Sequence, residues 1–129
     1  MRKRILLAED DQDDQELFFE FLADRDDLDL LTPVENGEVL LEQLNNVIDH
    51  LPDAIILDQN MPKRNGIQTL EQLKRNSRYS HIPVMIYSTY TDDTLVKRGI
   101  SSGAVLVMNK PSDTEGYQSL INELLKAIG

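Results

Sequence analysis

Apolar and polar positions along this chain follow two different periods. Short, nearly continuous apolar runs occur at residues 4–8 (RILLA), 28–34 (LDLLTPV), 54–58 (AIILD), 82–88 (IPVMIYS) and 104–108 (AVLVM). A strand with one face in water alternates apolar and polar residues, whereas a strand covered on both faces does not, and these runs have the second form. Between them the apolar spacing changes to three and four. Leu17, Phe18, Phe21 and Leu22 make one stripe, and Val39, Leu40, Leu44, Val47 and Ile48 a second. Ile67, Leu70 and Leu73 make a third, and Tyr117, Leu120, Ile121, Leu124, Leu125 and Ile128 the longest. Ser112 and Glu115 precede that last stripe at capping-box spacing. Residues 92–103 (DDTLVKRGISSG) read as a weaker helix held by Leu95, Val96 and Ile100. In it Gly99 costs about 1 kcal/mol relative to Ala, and Thr94, Ser101 and Ser102 cost less. Five strands alternating with five helices predict an α/β fold, a parallel sheet with helices on both faces, because right-handed crossovers need a helix-sized connection.

In such a sheet, ligands bind beyond the carboxyl ends of the strands. That edge gives the acids of this chain their interest. The third run ends in Asp58, and the first is followed by EDDQDD at residues 9–14. If strands one and three are neighbours, Glu9, Asp10 and Asp58 converge. Two unit charges ~4 Å apart repel by about 4 kcal/mol at an effective dielectric near 20, so such a cluster calls for a cation. With oxygen ligands only, no cysteine and two histidines in the chain, the expected ion is a hard divalent one, Mg²⁺ above all. Acids after a strand also cap the helix that follows, and that reading is preferred for Asp11, Asp13 and Asp14. Ser88 ends the fourth run and Lys110 follows the fifth. A carboxylate, a divalent cation, a hydroxyl and an ammonium on one rim make a device for phosphoryl transfer.

Charge and composition narrow the partners. The 129 residues carry a net charge of −10, which opposes nonspecific attraction to nucleic acid or anionic lipid. Without cysteine there are no disulfides, zinc thiolates or thiol nucleophiles. The apolar run after Met1 meets acids too soon for a signal peptide or membrane span, so a cytoplasmic location is expected. Residues 1–129 are expected to form a single domain.

Together RILLAEDD, PDAIILDQNMPKRNG, IPVMIYS and GAVLVMNKP, in that order, resemble the receiver domains of two-component response regulators over essentially the whole chain. The resemblance implies a flavodoxin-like (βα)5 fold with strand order 2-1-3-4-5. It implies that Asp58 accepts a phosphoryl group from a histidine kinase or a histidine phosphotransfer protein. In the same terms Asp10 is a direct Mg²⁺ ligand, Glu9 acts through water, Asp58 is both phosphoacceptor and ligand, and Asn60 coordinates through its backbone carbonyl. Ser88 is the switch hydroxyl, Lys110 pairs with the phosphoryl oxygens, and Lys110–Pro111 is expected to be cis. Asn60 and Tyr90 are expected to modulate the lifetime of the phosphate.

Two positions depart from the family pattern. Thr89 stands where Ala or Gly is usual, and Val107 where an aromatic ring swings inward as the hydroxyl moves. Tyr87 and Tyr90 are the candidates to replace that ring, with simple packing as the other reading. Phe19 lies off the stripe of its helix, as a docking anchor or as part of a wide core face. Lys63 and Arg64 lie beyond Asp58 near the expected entry of a donor. His50 and His81 read as surface residues, Asn65-Gly66 as turn chemistry, and Lys74, Arg75 and Arg78 as a solvated helix end. The chain is expected to carry no effector domain and to act on an unidentified downstream protein. Two alternatives stand: a receiver-like adaptor that is never phosphorylated, and a phosphatase of the haloacid-dehalogenase type. The second is disfavoured because Asn60 stands where those enzymes place an acid.

Overall fold

A computed structural model describes residues 2–46 and 50–129 of the protein. Five strands, β1 (Lys3–Ala8), β2 (Leu28–Leu30), β3 (Ala54–Asp58), β4 (Val84–Ser88) and β5 (Leu106–Asn109), form one parallel sheet in the order 2-1-3-4-5. They alternate with helices α1 (Gln12–Leu22), α2 (Gly37–Asn46), α3 (Gly66–Arg75), α4 (Asp93–Ser101) and α5 (Thr114–Ile128). The expected α/β architecture and strand order are those observed. The positions of Val47 and Ile48, expected at the end of α2, lie outside the described residues.

Three strands are shorter or shifted from the apolar runs that announced them. The run at 28–34 pairs as β2 only over Leu28–Leu30, and Pro33 has no N–H to donate to a ladder. Val34 beyond it makes a single bridge to Ala8. Pro83 likewise delays β4 to Val84. The last run begins just past the turn at 102–103, and β5 starts at Leu106. The central strands β3 and β4 are buried at every residue, as their continuous apolar character requires.

The sheet separates two cores. Ile5, Leu7, Ala54, Ile56, Met85 and Tyr87 point toward Phe18 and Leu22 of α1 and Tyr117, Leu120, Ile121 and Leu124 of α5. Leu6, Ala8, Ile55, Leu57, Val84 and Ile86 point toward Leu40 and Leu44 of α2 and Ile67, Leu70 and Leu73 of α3.

Several helix ends depart from expectation. α5 is capped by Asp113, whose side chain accepts the Gly116 N–H at 2.8 Å, and not by Ser112. Asn65 and Gly66 begin α3 instead of making a free turn, with Asn65 and Gln68 forming a reciprocal capping box. Gly66 is required there, since a Cβ would stand 2.9 Å from the Asp58 carbonyl oxygen. α4 is held only in part as its sequence suggests, by Leu95 packing on the core. Val96 and Ile100 are 37% and 49% exposed, whereas Gly99 is buried against Val107, whose Cγ2 a Cβ would meet at 2.5 Å. Gly99 lets α4 approach β5 closely. Lys74 is not solvated: its ammonium reaches back to the Ser80 and Ile82 carbonyls, and burial lowers its pKa.

Candidate functional site

The site lies at the carboxyl edge of β1, β3, β4 and β5. β1 and β3 pair directly, with Ala8 opposite Leu57, so Glu9 and Asp58 leave the sheet side by side. Both are buried, while Asp10 is exposed. One carboxylate oxygen from each of Glu9, Asp10 and Asp58 lies within 4.8 Å of the others, the convergence expected of those three acids. Lys110 enters from the end of β5, where its N–H donates to the Ser88 carbonyl at 2.8 Å. Its ammonium stands 2.9 Å from Glu9 Oε1, 2.9 Å from Asp14 Oδ2 and 3.3 Å from Asp58 Oδ2. The Asn60 N–H donates to Asp58 Oδ1 at 3.2 Å.

Burial, then the adjacent Glu9, raises the Asp58 carboxyl to a pKa of about 8, against the opposing pull of Lys110 and the Asn60 N–H. Burial acts the other way on Lys110, but the carboxylates of Glu9, Asp14 and Asp58 outweigh it and hold the ammonium above its ordinary range. Tyr87 is buried beneath the site and donates its hydroxyl to Glu9 Oε1 at 2.6 Å. Burial and the Glu9 charge push that phenol upward. A carboxyl kept protonated in this way by burial and a neighbouring acid fits a divalent cation, which would take the place of the proton. The donors are all oxygen, two are buried and one is open to solvent.

Ser88 is buried at the end of β4, with Thr89 exposed beside it. Tyr90 is 73% exposed and Val107 packs against Gly99 on the far side of the sheet. Tyr87 is thus a packed, hydrogen-bonded core residue. The Lys110–Pro111 bond is trans, contrary to expectation, and the lysine reaches the acids with the ordinary X-Pro geometry. Lys63 adopts a left-handed conformation at φ 66° in the loop past Asp58, while His50 and His81 are exposed. Phe19 is half-buried edge-on to Phe18, with Pro33, Gln12, Gln15 and Glu16 lining a cleft around it.

Asp14 was not anticipated as part of the site, and Tyr87, a candidate for the missing switch ring, instead holds Glu9. Asp11 caps α1, accepting the Asp14 N–H at 3.1 Å, but the Asp14 side chain itself is spent on Lys110. The signal was available: helical side chains lean toward the amino terminus, so the third residue of α1 leans back over the strand ends.

A family model described as the response regulator receiver domain matches residues 5–122. A probable C4-dicarboxylate response regulator DctR of Bacillus subtilis is 30% identical over 120 residues, 93% of this chain and 51% of that protein. The sensor histidine kinase CheAY of Helicobacter pylori is 28% identical over 77% of this chain and 12% of its own length. The chain therefore spans about half, or less, of these relatives. Among solved structures, the bacteriophytochrome response regulator RtBRR superposes with a TM-score of 0.80 at 27% identity, covering 96% of this chain and 78% of that one. A parallel sheet of order 2-1-3-4-5 with acids on its carboxyl edge, matched by that family model over nearly its whole length, places the chain in the response regulator receiver domain family.

Proposed function

We propose that residues 1–129 act as one phosphoacceptor receiver unit, in which Asp58 takes a phosphoryl group from a phosphohistidine donor. Receiver domains are signalling modules that work with histidine kinases or phosphotransfer proteins and do not turn over small substrates. The observation that carries the reading is Asp58 itself: a buried carboxylate at a strand end, 3.3 Å from the Lys110 ammonium and within reach of two further acids.

Asp10 and Asp58 would hold Mg²⁺ directly, Asn60 through its carbonyl and Glu9 through water. When bound, the ion neutralises charge on the acids and on the transferred group. An Asp58 oxygen attacks phosphorus as the bond to the donor imidazole nitrogen breaks, leaving an acyl phosphate on Asp58 and the neutral donor. Lys110 and Ser88 bind equatorial oxygens, and the Asn60 N–H keeps the attacking carboxylate oriented. The added charge then biases the loop after Ser88 and α4, changing which downstream protein docks. Self-dephosphorylation is slow, because Asn60 cannot act as a general base, and Tyr90 governs the approach of water. No described helix is long and apolar enough to cross a membrane.

Incubation with acetyl phosphate and Mg²⁺ should add one phosphoryl group by intact mass, in wild type but not in Asp58→Asn. Wild type without an adduct favours an unphosphorylated adaptor, and an adduct persisting in Asp58→Asn moves the site elsewhere.

A further inference from the structure

Asp14 is not one of the converging acids, yet it takes as short a contact with Lys110 as Glu9 does and a shorter one than Asp58. The ammonium has three donors, and three carboxylates surround it. A phosphoryl oxygen on Asp58 takes over the Asp58 contact, and Lys110 can follow it outward only by loosening its hold on Glu9 or Asp14. Glu9 keeps two other donors, the Tyr87 hydroxyl and the Asp11 N–H, so it is the better placed to remain. Asp14, partly open to solvent and holding Lys110 through one oxygen, is the partner to be given up.

Tyr117, near the start of α5, is fully buried against Phe18 and Phe21 of α1, the helix that carries Asp14. Its hydroxyl is the buried side-chain polar atom without a hydrogen-bond partner among the described residues. Leaving such a donor unpaired costs about 1–3 kcal/mol, so an acceptor brought within its reach would be taken up. Of the charges acting on the phenol, that of Asp14 weighs most, ahead of Glu9 and Lys110.

We propose that Asp14 is a positioning residue for Lys110, and that Lys110, Asp14 and Tyr117 exchange partners when a tetrahedral oxyanion forms on Asp58. The ammonium leaves Asp14 for the oxyanion, and the Tyr117 hydroxyl donates to the carboxylate so released. The exchange rests on the reading of Asp58 as phosphoacceptor. It gives the site a second line of communication, into the α1–α5 side, in a chain that has Val107 on the α4 side in place of an aromatic ring.

The test is the affinity of the whole chain for beryllofluoride with Mg²⁺, a mimic of the phosphoryl group, measured by calorimetry, beside urea unfolding without ligand. Tyr117→Phe should leave unfolding unchanged or slightly improved, because no bond is lost, while weakening beryllofluoride about threefold or more. Asp13→Ala, at a nearby exposed acid that makes no contact with Lys110, should leave the Tyr117→Phe effect at full size. In the Asp14→Ala background the Tyr117→Phe effect should vanish. Equal affinities for Tyr117→Phe and wild type overturn the exchange, as does an undiminished Tyr117→Phe effect without Asp14, or one that vanishes just as fully without Asp13. Wild type that takes up neither beryllofluoride nor a phosphoryl group sinks the phosphoacceptor reading and this inference together.

Discussion

The α1–α5 face of the sheet and its α4–β5 edge carry one polar rim on very different foundations. Toward α1 and α5 the packing is aromatic and closed: Phe18, Tyr87 and Tyr117 are fully buried, and α5 alone commits four side chains to the core. Toward α4 it is thin. Gly99 is the one residue of that helix that is fully buried, no residue of β5 is, and Tyr90, Val96, Ile100 and Val105 face solvent. An element with few buried contacts has little to lose by moving, whereas one locked by interdigitated rings has much. The difference assigns the two sides separate tasks: α1 and α5 hold the acids and Lys110 in register, and α4 with β5 is the edge that a new charge on Asp58 can displace.

The sharpest way to break this contrast is to open the anchored side. Phe18→Ala removes a buried ring from between α1 and α5 and should cost ~3–5 kcal/mol in urea unfolding. A loss under ~1 kcal/mol would mean that the α1–α5 core is no better packed than the α4 edge.

Next comes the one tight contact on the thin side. Gly99→Ala places a methyl group where Val107 Cγ2 stands and should cost ~1–3 kcal/mol, even though alanine is the better helix former. Val107→Ala in the same chain should recover most of that loss. Stabilisation by Gly99→Ala alone would show that the glycine is merely a weak helix residue, as its sequence suggests.

The rim common to both sides gives a pH dependence. The folded Asp58 carboxyl keeps its proton up to about 8, whereas the unfolded one loses it near 3.8. Between those values the folded state binds the extra proton. The stability it contributes is complete below the lower value and is lost as pH rises through the upper one. Metal-free protein should therefore lose thermal stability from pH 6 to pH 8. Mg²⁺, which replaces the proton, should raise the unfolding midpoint by more at pH 8 than at pH 6. A Mg²⁺ effect equal at both pH values would remove Asp58 from the metal site.

What the sequence made legible followed from patterns that packing reinforces. The unbroken apolar runs of β3 and β4 announced strands covered on both faces, and charge at strand ends announced the convergence of Glu9, Asp10 and Asp58. What escaped depends on neighbours far along the chain. Gly99 counts against a helix locally and acquires its purpose from Val107; Lys74 resembles a solvated helix end until the loop at 80–82 returns to meet it. Asp14 scans as one more acid in a first turn, because nothing nearby reveals that Lys110, 96 residues on, will reach it. Tyr87 looks like a core residue and is one, but the polar end of its ring belongs to the site, where it holds Glu9.

The smallest expected effect is the most telling about the thin side. Ile100 is half exposed on α4, so Ile100→Ser removes little buried area and should change stability by less than ~0.5 kcal/mol. Its signalling consequence is separable from its stability. If α4 and β5 form the displaceable edge, beryllofluoride with Mg²⁺ should shift backbone amide resonances throughout residues 88–108, in wild type and in Ile100→Ser alike. Shifts in α1 and α5 should stay confined to the neighbourhoods of Asp14 and Tyr117. Thr91 donates to Asn109 at 2.7 Å and ties the loop before α4 to the end of β5, so the response should travel through that loop as a unit. Amides in 88–108 that remain fixed while Asp58 still binds the mimic would mean that low packing density alone does not make a switch, and the division of labour between the two sides would fail.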